Sequence, residues 1–125
     1  EVVKAEGAWI ESADGNRYLD ASGGAVVANL GHGREDIARA VFDQIIKYHY
    51  IHPTMFATPV VEELADSLAK HTPEGLDRFY FLSGGGEAVE AAIKLARQIH
   101  LGRGQPERFR LISRWKSYHG MTLGA

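Results

Sequence analysis

A chain of 125 residues that is 45% hydrophobic, 10% aromatic and 24% charged has the composition of one globular domain or of a piece of a larger one. A formal net charge of -2 gives no electrostatic reason to bind nucleic acid or an anionic membrane surface. The absence of cysteine excludes disulfides, thiolate catalysis and zinc–thiolate sites, and no apolar run approaches the ~20 residues that span a bilayer.

The opening stretch EVVKAEG is polar and carries no apolar leader core. The first residue is Glu1 rather than Met, and the last stretch, Met121 to Ala125, shows neither a terminal helix nor a polar tail. This pattern predicts that both ends are cuts within a longer polypeptide.

In chain order, Ala8 to Glu11 is a short strand candidate, Asp14-Gly15 is a turn signal because both residues tolerate positive φ, and Arg17 to Asp20 returns. Residues 8 to 21 therefore read as a hairpin. Gly23-Gly24 and Gly31-His32-Gly33 punctuate loops. From Arg34 to Tyr48, Ile37, Ala38, Val41, Ile45 and Tyr48 recur at spacings of three and four, which predicts a helix with one buried face. Thr58-Pro59 looks like an N-cap followed by proline at the first helical position, and Val61, Leu64, Ala65, Leu68 and Ala69 form the apolar stripe of a second helix.

Phe79 to Leu82 reads as a short strand buried on both faces. Glu87 to Leu101 is the most regular helix, with Ala88, Ala92, Ile93, Ala96 and Ile99 expected inward and Glu90 paired with Lys94 on the solvent face. Gly102 stops it, and Arg108 to Trp115 reads as a second buried strand. Strand, glycine turn, helix, strand is a βαβ unit, which implies a parallel sheet and a right-handed crossover. The fold class is α/β, with an upstream hairpin-and-helix lobe and a boundary near residues 50 to 60.

Gly84-Gly85-Gly86 stands between the first of these strands and the helix. A helix start has unpaired N–H groups and a dipole that favours anions, and glycines let a phosphate approach without Cβ collisions. The alternative is a tight turn without a ligand. A nucleotide P-loop needs Gly-Lys-Ser/Thr, whereas Glu87-Ala88 follows here. The dinucleotide pattern G-x-G-x-x-G has Val89 at its third glycine, and no acidic residue near Ser113-Arg114 is placed to hold a ribose. A single small phosphate fits best. Ser117-Tyr118-His119-Gly120 follows the second strand, so it shares the carboxyl end of the sheet with the glycine turn, where ligands of open α/β sheets sit. Tyr118 either stacks on a planar ligand or packs under its own loop.

The run from Ser83 to Arg97, followed by Tyr118-His119-Gly120, resembles the class III aminotransferases, pyridoxal-phosphate enzymes of fold type I that include the ω-amino acid aminotransferases. Asp14 to Asp20 and Asn29 to Gly33 are similar to that family's N-terminal signature. The resemblance implies that residues 1–55 are the N-terminal part of a small domain and that 56–125 begin the pyridoxal-phosphate-binding large domain, opening with its first βαβ unit. It implies that Gly85 and Gly86 give N–H groups to the cofactor phosphate, that Ser83 and Gly84 shape the turn, that Tyr118 stacks on the pyridine ring, and that His119 and Gly120 complete the wall. Many relatives carry Ser where this chain has Gly86, and its hydroxyl also bonds the phosphate. The implied reaction moves an amino group from an amine or amino acid donor to a 2-oxo acid, in a cytoplasmic protein that is a homodimer when intact and has neither nucleic acid nor a membrane as partner. The Schiff-base lysine and the aspartate that pairs with the pyridinium nitrogen are downstream in the family. None of Lys4, Lys47, Lys70, Lys94 and Lys116 resembles that lysine's context, so no catalytic residue is assigned and the fragment alone is expected to be inactive.

Two other readings stay open at this point: a non-catalytic α/β binding or interaction domain, and a fragment of a nucleotide-binding oxidoreductase. His49 and His52 lack a third ligand and are not assigned a metal. Glu87 and Glu90 are read as helix N-terminal charges, Trp9 and Trp115 as core residues, and Gly23-Gly24, by analogy with relatives, as lying near the substrate entrance.

Overall fold

The chain divides into two units, Glu1–Thr58 and Pro59–Ala125, in a computed structural model that describes all 125 residues. In the first, three strands form an antiparallel sheet in the order β1–β2–β3: β1 is Val2–Glu6, β2 is Trp9–Ser12 and β3 is Arg17–Leu19. The hairpin stands as expected, with Trp9 opposite Leu19 and Glu11 opposite Arg17. Its turn is closed by Ser12 N–H donating to the Asn16 carbonyl at 3.0 Å, and the Asp14 carboxylate accepts from the Ser12 hydroxyl and, at 2.7 Å, from the Asn16 side-chain amide. β1 is an addition to the sequence reading. Its Val2-Val3 pair is β-branched, but the charged residues after it hid the signal, and only pairing with β2 makes it a strand.

Trp9 was expected in a core and is instead exposed. Arg17, its diagonal neighbour across the hairpin, covers it with a guanidinium 4.9 Å from the ring centre. Beyond β3, the short kinked helix α1, Gly23–Val26, leads to Asn29–Gly33, which returns along the sheet. Gly7 and His32 exchange backbone hydrogen bonds at 3.0 and 2.8 Å. Gly31 faces Gly7 there, and both its φ of 85° and a would-be Cβ 3.3 Å from the Gly7 backbone favour glycine. The helix α2 spans Glu35–Lys47, within a residue of expectation at either end, with Glu35 and Asp36 in its first turn and Lys47 in its last, as the helix dipole favours.

In the second unit, α3 spans Pro59–Ala69, opened by proline at its first position, and α4 spans Gly85–Gly102. The two strands expected around α4 do not form. Neither 79–82 nor 108–115 pairs with the other or with any other segment, because a parallel ladder needs an adjacent strand and the only sheet of this chain is β1–β2–β3. Strand-like alternation survives locally: the rings of Phe79 and Phe81 stack 6.2 Å apart at 16°, as residues two apart on one strand face do.

No residue is buried. The stripes read as core-facing, Ile37, Val41 and Ile45 on α2 and Ile99 on α4, are exposed, and so are Tyr80, Phe81 and Leu82, which were expected to be covered on both faces. Ile112 and Trp115 are 99% and 92% exposed. On α4 the half-covered residues are Gly86, Glu90, Ile93, Arg97 and His100, joined by Val89 and Ala91. Of the expected inward face, Ile93 is half-covered and, with Ala96, lines the groove toward residues 107–111, whereas Ala88, Ala92, Ala96 and Ile99 are exposed.

Candidate functional site

Helix α4 begins at Gly85, two residues before the expected start, so Gly85 and Gly86 belong to its first turn. Gly84 is the N-cap, with extended backbone (φ -170°, ψ 172°), and no side chain caps the helix. The Ala88 N–H reaches the Gly84 carbonyl at 3.0 Å, while the amides of Gly85, Gly86 and Glu87 have no acceptor within the protein. These are the orphan donors of a helix start, with the positive end of the dipole behind them. The Glu87 carboxylate curls back over Gly84, and a Cβ at Gly84 would lie 2.7 Å from Glu87 Oε2. Nothing lies within 4 Å of a Cβ at Gly85, so the turn is open on that side.

Gly120 packs against this turn. A Cβ built on Gly120 would stand 2.8 Å from the Gly86 Cα and 2.8 Å from the Ala125 Cβ, and its φ of 142° is one that side chains rarely adopt. A Cβ at Gly86 would in turn stand 3.1 Å from Thr122 Cγ2. The two glycines therefore bring the helix start and the 118–120 loop together at backbone distance. Lys116, with φ 61°, turns the chain just before that loop in a left-handed conformation that costs about 1–2 kcal/mol for a residue with a Cβ.

Of the sequence-predicted residues, the structure thus joins Gly86 and Gly120, with Gly84 and Gly85 in the same turn. Ser83, Tyr118 and His119 are exposed, Tyr118 at 82%, and make no side-chain hydrogen bond. Tyr118 and His119 lie two and one residues before Gly120, the residue that meets Gly86 at the helix start.

Glu90 departs from its expected role. It makes no ion pair with Lys94; its Oε1 accepts from the Thr122 hydroxyl and from the Gly124 N–H, both at 2.7 Å. These bonds, the Thr122 hydroxyl first and the Gly124 amide second, hold its carboxyl below the ordinary glutamate value. Thr122 and Gly124 are residues that sequence reasoning missed, since nothing local ties them to a helix so far upstream. The open groove of about 590 Å³ along the other half of α4, between Ile93, Arg97 and His100 on one side and Phe109 and Leu111 on the other, is the seam between helix and returning chain.

The first unit holds a second unforeseen constellation. The Asp20 carboxylate pairs with His32 Nε2 at 2.9 Å and accepts the Gly24 N–H at 3.1 Å. Chiefly through the His32 bond, then the Gly24 amide, Asp20 is held below the usual aspartate value. Asp20 and His32 both belong to the two N-terminal signatures, which the sheet edge brings together, and Asp20 ties down the Gly23-Gly24 loop.

Residues 1–125 match the family model described as aminotransferase class-III over the whole chain. The chain belongs to the class III aminotransferases. It is 42% identical over 125 residues to an uncharacterized aminotransferase of Bacillus subtilis, YhxA, covering 98% of this chain and 27% of that protein. Among solved structures, an (S)-enantioselective omega-transaminase from Thermomicrobium roseum superposes with a TM-score of 0.89 at 42% identity, over 95% of this chain and 27% of that one. An amine transaminase from an uncultivated Pseudomonas species, in its PLP-bound form, gives a TM-score of 0.85 at 35% identity, over 98% of this chain and 28% of that one. A class III aminotransferase chain of this length thus spans about a quarter of the relatives it matches, and its fold is that of an N-terminal piece of a fold type I aminotransferase. The family is pyridoxal-phosphate-dependent. The oxidoreductase reading falls with this assignment, and Val89, the third position of the dinucleotide pattern, lies inside α4.

Proposed function

We propose that this chain is the N-terminal part of a pyridoxal-phosphate-dependent aminotransferase that moves an amino group from an amine or amino acid donor to a 2-oxo acid. The observation that carries the reading is the uncapped start of α4, three free amides wide, locked at Gly86 against Gly120 of the Tyr118-His119-Gly120 loop. The residues fit the cofactor: glycines leave room for a phosphate at a positive helix end, and an exposed aromatic ring stands on the adjoining loop. When bound, pyridoxal phosphate supplies the electron sink for bond cleavage at the amino-bearing carbon of the donor.

In this reading the N–H groups of Gly85 and Gly86 bind the phosphate, and Ser83 and Gly84 shape the turn that aims them. Tyr118 orients the pyridine ring by stacking, and His119 and Gly120 close the wall and exclude water from it. Residues 1–55 then form the start of the small domain and 56–125 that of the large one. In this reading the intact protein is a cytoplasmic homodimer. The chain alone has no lysine in the cofactor-bonding role and is inactive by itself.

The test is a titration of the cofactor-free, full-length protein with pyridoxal phosphate, read as the visible absorbance of the bound cofactor. Tyr118→Ala should raise Kd roughly fivefold, for a stacking contribution of about 1 kcal/mol, and shift the absorbance band. A Tyr118→Ala protein with the parent's spectrum and affinity sinks the stacking role. A full-length protein that takes up no cofactor sinks the whole reading.

A further inference from the structure

From Arg110 to Ala125 the chain forms neither helix nor strand, and only two hydrogen bonds tie it down, Thr122 Oγ1–H to Glu90 Oε1 and Gly124 N–H to the same oxygen, each 2.7 Å. Everything else that fixes this stretch is packing, closest where Gly120 meets Gly86. Glu90 lies one helical turn beyond Gly86 on the half-covered stripe Gly86, Glu90, Ile93, Arg97, His100. Its second oxygen also lies against Gly124, where a Cβ would stand 2.9 Å from Oε2. A carboxylate one turn from an anion-binding helix start opposes a phosphate electrostatically, so a purely passive position would be better filled by a neutral residue. The return for that charge is two charge-assisted bonds, the hydrogen bonds that residues 110–125 make within this chain.

We infer that Glu90 is a positioning residue of the cofactor site: its carboxylate pins the 120–124 loop to α4 and thereby holds Tyr118, His119 and Gly120 against the Gly84–Gly86 turn. The inference rests on the reading of that turn as the phosphate cradle. Glu90 touches no reacting group; it acts through Thr122 and Gly124 on where the ring-facing loop stands. Because both donors converge on one oxygen, a glutamine, which keeps that oxygen and loses the charge, can hold the loop in the same place.

The experiment uses the full-length protein and four variants, Glu90→Ala, Glu90→Gln, Thr122→Val and the double variant Glu90→Ala/Thr122→Val. Each is titrated in the cofactor-free form with pyridoxal phosphate, and the circular dichroism of the bound cofactor band and the unfolding temperature of the cofactor-free form are recorded beside Kd. Glu90→Ala is expected to weaken binding on the order of tenfold and to diminish the cofactor dichroism, which reports how rigidly the ring is held. Glu90→Gln is expected to restore both to within about threefold of the parent, Thr122→Val to fall between, and Glu90→Ala combined with Thr122→Val to be no worse than Glu90→Ala alone. Thr122→Val removes one hydroxyl and serves should Glu90→Ala not fold. A lowered unfolding temperature with unchanged Kd and dichroism overturns the inference, as does a glutamine variant as impaired as the alanine one. A parent protein that binds no pyridoxal phosphate overturns the cradle reading itself, and this inference with it.

Discussion

Gly86 and Gly120 meet backbone to backbone: a Cβ on Gly120 would stand 2.8 Å from the Gly86 Cα. This contact makes one site out of two segments, the start of α4 and the loop that carries Tyr118. It also assigns the glycines different tasks. Gly84 leaves space for the Glu87 carboxylate, Gly85 faces open space, and Gly86 admits the returning chain.

Gly120 should therefore be the least replaceable of these glycines. Gly120→Ala combines a φ of 142° with contact against the Gly86 backbone and should cost about 1–3 kcal/mol in the full-length protein. Gly102→Ala, at the last position of α4 with nothing within 4 Å of its Cβ, should be neutral or stabilising by about 0.5 kcal/mol. Denaturant unfolding checks the pair, and equal effects would remove the backbone contact from the account.

A serine at position 86 should be admitted here only with a second change. In Gly86→Ser the new Cβ meets Thr122 Cγ2 at 3.1 Å, and Thr122 cannot swing aside without giving up its bond to Glu90. Thr122→Ser removes that methyl and keeps the hydroxyl. The double variant should bind pyridoxal phosphate roughly five- to thirtyfold more tightly than Gly86→Ser alone, for a charge-assisted hydroxyl–phosphate bond worth about 1–2 kcal/mol. Matching Kd values for single and double variants would show that Thr122 is no obstacle.

At the start of α2, hydrogen bonds from the Arg34 guanidinium to both oxygens of Asp36, at 2.8 and 2.6 Å, lower the Asp36 carboxyl from 3.8 to about 2. A folded-state value below the unfolded one means that the stabilising contribution is present above 3.8 and is lost as the pH falls through about 2. The pair is exposed, so the change in overall stability should be small. Carboxyl NMR titration should find Asp36 near 2 in the parent and shifted upward, toward 3.8, in Arg34→Ala. A midpoint that Arg34→Ala leaves in place would refute the cause assigned to it.

The sequence by itself determined what is decided locally. Asp14-Gly15 marked the hairpin, Pro59 opened α3, and helix periodicity placed α2 and α4 to within two residues, because helix and turn hydrogen bonds link neighbours a few positions apart. The motifs at 83–97 and 118–120 carried the family, since glycines at a helix start report a backbone requirement that no distant contact has to supply. What only the tertiary structure decided is every relation between distant segments. It turned Glu90 from a partner of Lys94 into the anchor of the 120–124 loop, joined Gly86 to Gly120, and paired Asp20 with His32. It also left 79–82 and 108–115 without a ladder, because a strand exists only where another chain segment completes its hydrogen bonds, and periodicity records which residues seek cover without recording what covers them.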